Sequence, residues 1–122
     1  MTVSWEFIDE LAATLPKCED TSKPDQRRWC AKGRAFAWER PLSKKDMAAL
    51  GDAAPRGRVL AIRTQDLGVR DAWMAAFPRV CFTSEHFLNY PAILVDLELA
   101  DEQVVREVFS ETALWIVDGA KH

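Results

Sequence analysis

The sequence predicts an α+β fold: a single two-layer domain with a mostly antiparallel, five-stranded sheet and helices packed on one side of it. Three observations lead to this prediction. Segments with helical periodicity stand at the beginning, the middle and the end of the chain, and short strand-like runs joined by turns lie between them. No repeat, linker or low-complexity segment divides the chain, so one domain spans residues 1–122. Hydrophobic residues make up 48% of the 122 residues and charged residues 29%, which is typical of globular proteins.

Capping residues and apolar periodicity mark the first and the last helix. Ser4 is a suitable N-cap for a helix that runs to residue 15 and ends before Pro16. Asp101 is the corresponding N-cap of a final helix over 101–117. Apolar residues recur at helical spacing along both segments, so each helix has one apolar face to bury.

Two short runs, residues 27–31 and 34–39, are predicted to form the two strands of a β-hairpin. The turn between them contains Lys32 and Gly33, and the glycine supplies the positive φ that a tight turn needs. The polar stretch before the hairpin, residues 17–26, is predicted to be a loop.

Alternation along the second hairpin strand assigns its side chains to faces of the sheet. A regular strand places Phe36 and Trp38 on one face, and Ala35 and Ala37 on the other. If either aromatic ring is exposed beside Arg34, it offers a surface on which a nucleic-acid base can stack.

The remaining segments complete the order α-β(3)-α-β(2)-α. Periodicity and turn residues give, in chain order, a short helical turn over 43–50, a loop over 51–58, a strand over 59–64, a helix over 67–77, and strands over 80–83 and 92–99. The short helical turn is closed by Gly51 and is not counted in this order.

Three segments resemble the MmcQ/YjbR family of small bacterial proteins. The first is Trp29-Cys-Ala-Lys-Gly-Arg-Ala-Phe-Ala-Trp38, and the second is Lys45-Asp-Met-Ala-Ala-Leu-Gly51 followed by Val59-Leu-Ala-Ile-Arg-Thr64. The third and most specific is Phe82-Thr-Ser-Glu-His-Phe-Leu-Asn-Tyr-Pro-Ala-Ile-Leu-Val95, which is close to the family signature Phe-Thr-x-x-His-Phe-x-x-Tyr-Pro-Ala-x-Leu-Val. Together with the terminal helices, the resemblance covers nearly the whole chain.

The resemblance implies a compact α-β(3)-α-β(2)-α fold, similar to CyaY (a frataxin) and to secretion chaperones. It also implies DNA binding, because the family carries a DNA-binding label that derives from a wing-like surface of its sheet. Since a fold does not determine a function, the function has to be argued from particular side chains.

Charge is distributed unevenly along the chain, whose net charge is −3. Residues 27–58 contain nine basic and three acidic residues, a local charge of +6, whereas residues 80–122 have a local charge of −6. A basic surface can neutralise DNA phosphates although the whole chain is acidic. The alternative is a solvated hairpin edge whose cations prevent edge-to-edge strand pairing. The candidate phosphate contacts are Arg27, Arg28, Lys32, Arg34, Arg40, Lys44 and Lys45.

Aromatic residues suggest a second kind of binding site. Trp38, His86, Phe87 and Tyr90 are candidates for an aromatic surface or pocket that binds a protein or a small ligand. The alternative for each ring is a place in the core. His86 either fixes its loop by hydrogen bonding to backbone or acts with Cys81 in nucleophilic catalysis. We expect the structural role, and because no Gly-rich phosphate loop, G-x-S-x-G or H-E-x-x-H motif occurs, we predict no catalytic residue and no enzyme.

The remaining titratable residues predict neither a metal site nor a cofactor. Carboxylates on and just after the first helix are similar to the acidic ridge of frataxin-like proteins, which binds iron weakly, but a soluble helix needs such a polar face in any case. These carboxylates are Glu6, Asp9, Glu10, Glu19 and Asp20. Cys18, Cys30 and Cys81 lack the close spacing of zinc ligands, and the last two resemble buried residues of a reducing compartment.

Sequence patterns also bear on localisation. The N-terminal segment lacks the basic and then apolar pattern of a secretory signal, and no apolar run approaches the ~20 residues of a membrane-spanning helix. We therefore expect a cytoplasmic protein without membrane contact, either a monomer or a weak dimer.

Overall fold

Capping side chains determine where the helices begin. The computed structural model describes residues 3–24, 26–55 and 57–119, with the side chains of all of these except Ala53 and His86. Within these ranges the α-helices are α1 (Trp5–Thr14), α2 (Lys44–Leu50), α3 (Leu67–Ala76) and α4 (Glu102–Val117). Each follows a residue whose side chain accepts a hydrogen bond from a backbone N–H of the first turn, namely Ser4, Ser43, Asp66 and Asp101. The helices predicted from the sequence are confirmed.

Six antiparallel strands form the sheet in the described part of the chain, one more than the sequence predicts. They are β1 (Cys18–Asp20), β2 (Arg28–Ala31), β3 (Arg34–Glu39), β4 (Val59–Arg63), β5 (Cys81–Phe82) and β6 (Ala92–Asp96). Their order across the sheet is β1-β2-β3-β4-β6-β5. Leaving α2 aside, the order along the chain is α-β(4)-α-β(2)-α, which corrects the predicted α-β(3)-α-β(2)-α.

The additional strand, β1, lies in the segment that we expected to be a loop, residues 17–26. It pairs antiparallel with β2, so that Cys18 is opposite Ala31 and Asp20 is opposite Trp29. Three residues with two exposed carboxylates show no apolar alternation, so the pattern contains no strand signal. The strand forms because it satisfies the backbone groups along the free edge of β2.

The strand that we predicted over 92–99 ends earlier, at Asp96. A carboxylate oxygen of Asp96 accepts a hydrogen bond from the Glu98 N–H at 3.0 Å, and its carbonyl accepts one from the Ala100 N–H at 2.9 Å. An aspartate side chain that bonds nearby backbone competes with the strand ladder, and here it turns the chain towards α4. Leu99, predicted to continue the alternation, is 59% exposed.

The hairpin turn between β2 and β3 is confirmed. Lys32 has a φ of 50° and Gly33 a φ of 78°. Two consecutive residues with positive φ produce the turn whose twist matches that of the paired strands, and glycine adopts this conformation without steric cost.

The main core lies between one face of the sheet and the helices α1, α3 and α4; we call this the inner face. Phe109 of α4 packs its ring against Phe36 and Trp29, with centroid distances of 4.8 and 6.0 Å. The indole N–H of Trp29 donates to the Asp9 carboxylate at 3.1 Å, so this buried polar group is satisfied.

A β-bulge in the hairpin changes which face the aromatic residues occupy. Trp29 pairs with Ala37 and Cys30 pairs with Ala35, so Phe36 is an extra residue without a partner in β2. Phe36 and Ala37 both pack in the inner core, whereas Trp38 packs on the opposite face. The prediction that Phe36 and Trp38 share a face was wrong, because regular alternation does not hold across a bulge. Phe36 is fully buried and cannot stack on a base.

The opposite face of the sheet, which we call the outer face, has a smaller core of its own. Val59, Ala61 and Leu94 form its floor, and Phe87 and Leu42 pack over them. Leu42 precedes α2, so this short helix lies outside the inner layer of helices. Among the residues that the structure describes, no helix combines the length and the apolar character needed to cross a membrane.

The bulge predicts unequal costs for truncating two aromatic residues of β3. Phe36→Ala removes a fully buried ring from the inner core, and we expect the free energy of unfolding to fall by about 3–5 kcal/mol. Trp38→Ala removes a half-buried ring from the outer face and costs less. Denaturant unfolding measures both, with the exposed Leu99→Ala as a control that changes stability by about 0.5 kcal/mol or less. A larger loss for Trp38→Ala contradicts the assignment of Phe36 to the inner core.

Candidate functional site

Three aromatic residues from two separate segments lie together on the outer face. The ring centroids of Trp38 and Phe87 are 6.5 Å apart, and those of Phe87 and Tyr90 are 5.9 Å apart. Phe87 is buried, Trp38 is half-buried, and Tyr90 is 44% exposed. We call Trp38, Phe87 and Tyr90 the outer aromatic cluster. The side chain of the fourth candidate, His86, lies outside the described residues.

A buried arginine of α3 holds the 84–90 loop, which carries two rings of this cluster. The Nη1 atom of Arg70 donates to the backbone carbonyls of Phe87 at 3.1 Å, Leu88 at 2.9 Å and Tyr90 at 3.5 Å. Arg70 is only 5% exposed, so these acceptors compensate for removing its charge from water. Arg70 therefore determines where the loop places its aromatic side chains.

Arg70 was not among the residues singled out from the sequence. Its remaining N–H groups donate to the carboxylate of Asp71, at 3.1 Å from Nε and 3.0 Å from Nη2. The sequence did contain a signal, because Arg70 falls on the same side of the helix as Trp73 and Phe77. A charged residue within the apolar stripe of a helix indicates a buried partner.

A cation lies against the outer aromatic cluster. The guanidinium carbon of Arg40 is 5.3 Å from the centroid of the Phe87 ring, a cation–π geometry. Its Nη2 is 3.8 Å from a carboxylate oxygen of Asp46, and its Nη1 donates to the Pro41 carbonyl at 3.3 Å. The buried Nε atom of Arg40 has no hydrogen-bond partner within the described part of the chain.

A polar cleft of about 390 Å³ opens beside Arg40, at the start of α2. Two of its lining residues cap this helix: the Ser43 hydroxyl accepts from the Asp46 N–H at 3.1 Å, and the Asp46 carboxylate accepts from the Ser43 N–H at 3.4 Å. The other lining residues are Arg40, Lys45 and Glu85. Two cations, Arg40 and Lys45, therefore border the cleft, and Arg40 also lies against the outer aromatic cluster.

Arg27, the first of the basic hairpin candidates, faces α1 rather than the outer face. Its Nη1 is 3.4 Å from a carboxylate oxygen of Asp9, and its guanidinium lies 5.6 Å from the Trp5 ring centroid. Both partners stabilise the contact between the hairpin and α1, which gives this arginine a structural role.

The other basic candidates occupy two regions at opposite ends of β3. Lys32 and Arg34 are exposed at the tip of the hairpin, whereas Arg40 lies at the far end with the exposed Lys44 and Lys45. Six residues of extended chain separate Arg34 from Arg40 by about 20 Å. The basic segment is thus not a single patch.

Arg28 is the hairpin cation that lies next to the outer aromatic cluster. It is directly opposite Trp38 in the β2–β3 pairing, and both side chains are half-buried. Its Nε donates to the Thr21 hydroxyl at 3.4 Å, which leaves the rest of the guanidinium group for other contacts.

Cys81, considered above as a nucleophile, is a residue of the inner core. Burial raises the pKa of its thiol from 9.0 to about 12. The thiol therefore stays protonated near neutral pH, whereas a nucleophilic cysteine needs a thiolate. Burial, with smaller contributions from Cys30 and Glu19, likewise raises the pKa of Cys18 to about 11.

Two of the carboxylates on and after α1 are engaged in local contacts. Asp9 binds the side chains of Trp29 and Arg27, and Asp20 accepts a hydrogen bond from the Ser22 N–H at 2.9 Å. Hydrogen bonding by Ser22 lowers the pKa of Asp20 below its ordinary value. Among the described residues, no group of three or more His, Cys, Asp or Glu side chains is placed to hold a metal ion.

Replacing Arg70 tests its hold on the 84–90 loop. Arg70→Met leaves buried carbonyls without a donor, and we expect the free energy of unfolding to fall by about 2–4 kcal/mol. Amide hydrogen exchange within 84–90 should accelerate more than exchange in α4. Arg79→Met, at an exposed arginine, is the matched control. Equal effects of the two substitutions contradict the role of Arg70.

Stability at alkaline pH tests the burial of Cys81. Its pKa is raised in the folded state, so its contribution to stability is complete below the unfolded pKa near 9.0 and is lost as the pH rises towards about 12. Between pH 9 and pH 10.5 this thiol alone lowers the free energy of unfolding by about 1–2 kcal/mol. Cys81→Ala should have a correspondingly flatter pH profile in denaturant unfolding; parallel profiles show that the thiol ionises freely.

Comparison with known proteins gives relatives along almost the whole chain. It is 33% identical over 121 residues to Uncharacterized protein Rv2570 of Mycobacterium tuberculosis, and the match covers 97% of this chain and 90% of that protein. Uncharacterized protein Mb2600 of Mycobacterium bovis matches with the same identity and coverage. No family model and no solved structure matches the chain. The identity and the coverage together show that this chain belongs to the family of these mycobacterial proteins.

Proposed function

We propose that this chain is a non-enzymatic binding module of the MmcQ/YjbR type, and that its outer face holds single-stranded nucleic acid. The observation that carries the proposal is the outer aromatic cluster with Arg40 directly beside it. Exposed rings flanked by cations provide the two contacts that a single strand needs, because its bases stack on rings and its phosphates pair with cations.

Tyr90 and Trp38 are the rings that supply the stacking contacts. Tyr90 is the more exposed of the two, and Phe87 supports both from below while packing on the floor of the outer face. Each stack of a base on an aromatic ring stabilises a complex by about 1–3 kcal/mol and depends little on the sequence of the strand.

Three cations supply the phosphate contacts. Arg28 lies opposite Trp38, Arg40 lies against Phe87, and Lys45 borders the neighbouring cleft. Neutralising phosphates releases counterions, so this part of the affinity falls as salt is added. The net charge of −3 repels nucleic acid from the rest of the molecule and favours this region.

The hairpin tip is a second candidate, for duplex DNA. Lys32 and Arg34 are exposed there, and a tight turn can approach a phosphate backbone. Such contacts position a protein without reading sequence, and they involve no stacking. This mode of binding is therefore independent of Tyr90.

Fluorescence anisotropy with labelled DNA tests the proposal. We expect single-stranded DNA to bind more tightly than duplex DNA at 50 mM salt, and binding to weaken at 200 mM. Tyr90→Ala should weaken single-strand binding about tenfold, because one stack is lost. The double substitution Lys44→Glu, Lys45→Glu should weaken it and flatten its salt dependence. Lys17→Glu, Lys23→Glu changes two exposed lysines on the β1 side of the sheet and is the matched control.

Other outcomes assign the function elsewhere. The hairpin tip is identified as the contact if three results coincide. Duplex DNA binds more tightly than single-stranded DNA, Tyr90→Ala leaves the affinity unchanged, and the double substitution Lys32→Ala, Arg34→Ala lowers it. No binding of either DNA at 50 mM salt contradicts a nucleic-acid function. In that case the remaining candidate is a protein or small-ligand site on the exposed Leu88 and Tyr90, which are 54% and 44% exposed.

A further inference from the structure

A second cleft lies on the same side of the sheet, at the end furthest from the hairpin. It has a volume of about 460 Å³ and opens between the end of α2, the connection from α3 to β5, and the end of β6. It shares no lining residue with the outer aromatic cluster. Three strand spacings, about 14 Å, separate β3 with Trp38 from β5 with Phe82.

A buried carboxylate lines this cleft. Asp96 is 5% exposed, and one of its oxygens accepts the hydrogen bond from the Glu98 N–H at 3.0 Å. Among the described residues, no Lys or Arg side chain forms an ion pair with it. A carboxylate removed from water needs more than one backbone N–H, so Asp96 can accept a further charged hydrogen bond from a group in the cleft.

Apolar side chains form part of the wall around this carboxylate. Phe82 is half-buried, Leu50 lies at the end of α2, and Leu99 is 59% exposed. Both Leu99 and Phe82 line the cleft, and covering their exposed apolar surface with hydrocarbon is energetically favourable. The cleft therefore suits an occupant with an apolar body.

The charged residues around the cleft determine which charge the polar group of an occupant should carry. Glu98 also lines the cleft but is paired with Arg58, whose Nη2 is 3.2 Å from its carboxylate. Asp96 and Asp52 remain, against the exposed Arg79. The two carboxylates and the one cation leave a net negative charge in the cleft, and Asp96 is the buried carboxylate of the two.

We propose that this cleft binds a small organic cation, a primary amine on an apolar chain or ring, with its ammonium group on the Asp96 carboxylate. The hydrocarbon part covers Phe82 and Leu99, while the ammonium donates a hydrogen bond to the Asp96 carboxylate. This site does not depend on the nucleic-acid function proposed above, because the two use different residues.

A matched set of three probes tests the proposal by NMR titration of the folded protein. 2-Phenylethylamine, 2-phenylethanol and phenylacetate have the same ring and differ in the charge of the head group. We expect the amine to bind most tightly and phenylacetate least, with shifts at residues 50, 82 and 99. Binding of the alcohol and the amine with equal affinity, or of none of the three at millimolar concentration, overturns the proposal.

Substitutions then identify the contacts. Asp96→Asn keeps the oxygen that accepts from Glu98 and removes the charge, so the amine should bind about tenfold more weakly and the alcohol unchanged. Leu99→Ser, at an exposed position, should weaken both probes without unfolding the chain. Glu10→Gln, an exposed carboxylate of α1, is the charge-matched control. Unchanged amine affinity in Asp96→Asn overturns the assignment, and single-stranded DNA binding by this variant reports separately on the outer aromatic cluster.

Discussion

The shape of the outer face depends on one buried guanidinium group. Arg70 donates hydrogen bonds to three backbone carbonyls of the 84–90 loop. These carbonyls can point into the protein because the buried guanidinium group supplies their donor. Phe87 then packs against Trp38 and Arg40. A residue of α3 thus builds a surface on the other side of the sheet. The interaction is local in space but spans 17 to 20 residues of chain.

The two faces of the sheet differ in how completely they are covered. The inner face is closed by α1, α3 and α4 around Trp29, Phe36 and Phe109, and it contributes most of the buried apolar surface. The outer face has a small core and carries both proposed sites, with opposite local charge: cations beside the aromatic rings and carboxylates in the second cleft.

The sequence was sufficient wherever the determining interaction is local. Ser4, Ser43, Asp66 and Asp101 bond within their own first turns, so the helix starts follow from composition and spacing. It was insufficient where the interaction is with a distant segment: β1 is held by β2, and Arg70 by the 84–90 loop. For the candidate site, Trp38, Phe87 and Tyr90 were identified as a group and do lie together. The division of the basic residues between two regions was not predicted, because a count of charges does not tell which end of a strand each cation occupies.

The extra residue in β3 also makes the hairpin sensitive to chain length. Removing Ala35 restores regular alternation while Phe36 and Trp38 stay two positions apart, which turns either Phe36 away from Phe109 or Trp38 away from Phe87, whereas removing Ala37 leaves the two rings on opposite faces. Surface loops absorb insertions and deletions readily, whereas in this short strand the position of a deletion decides whether an aromatic residue changes face.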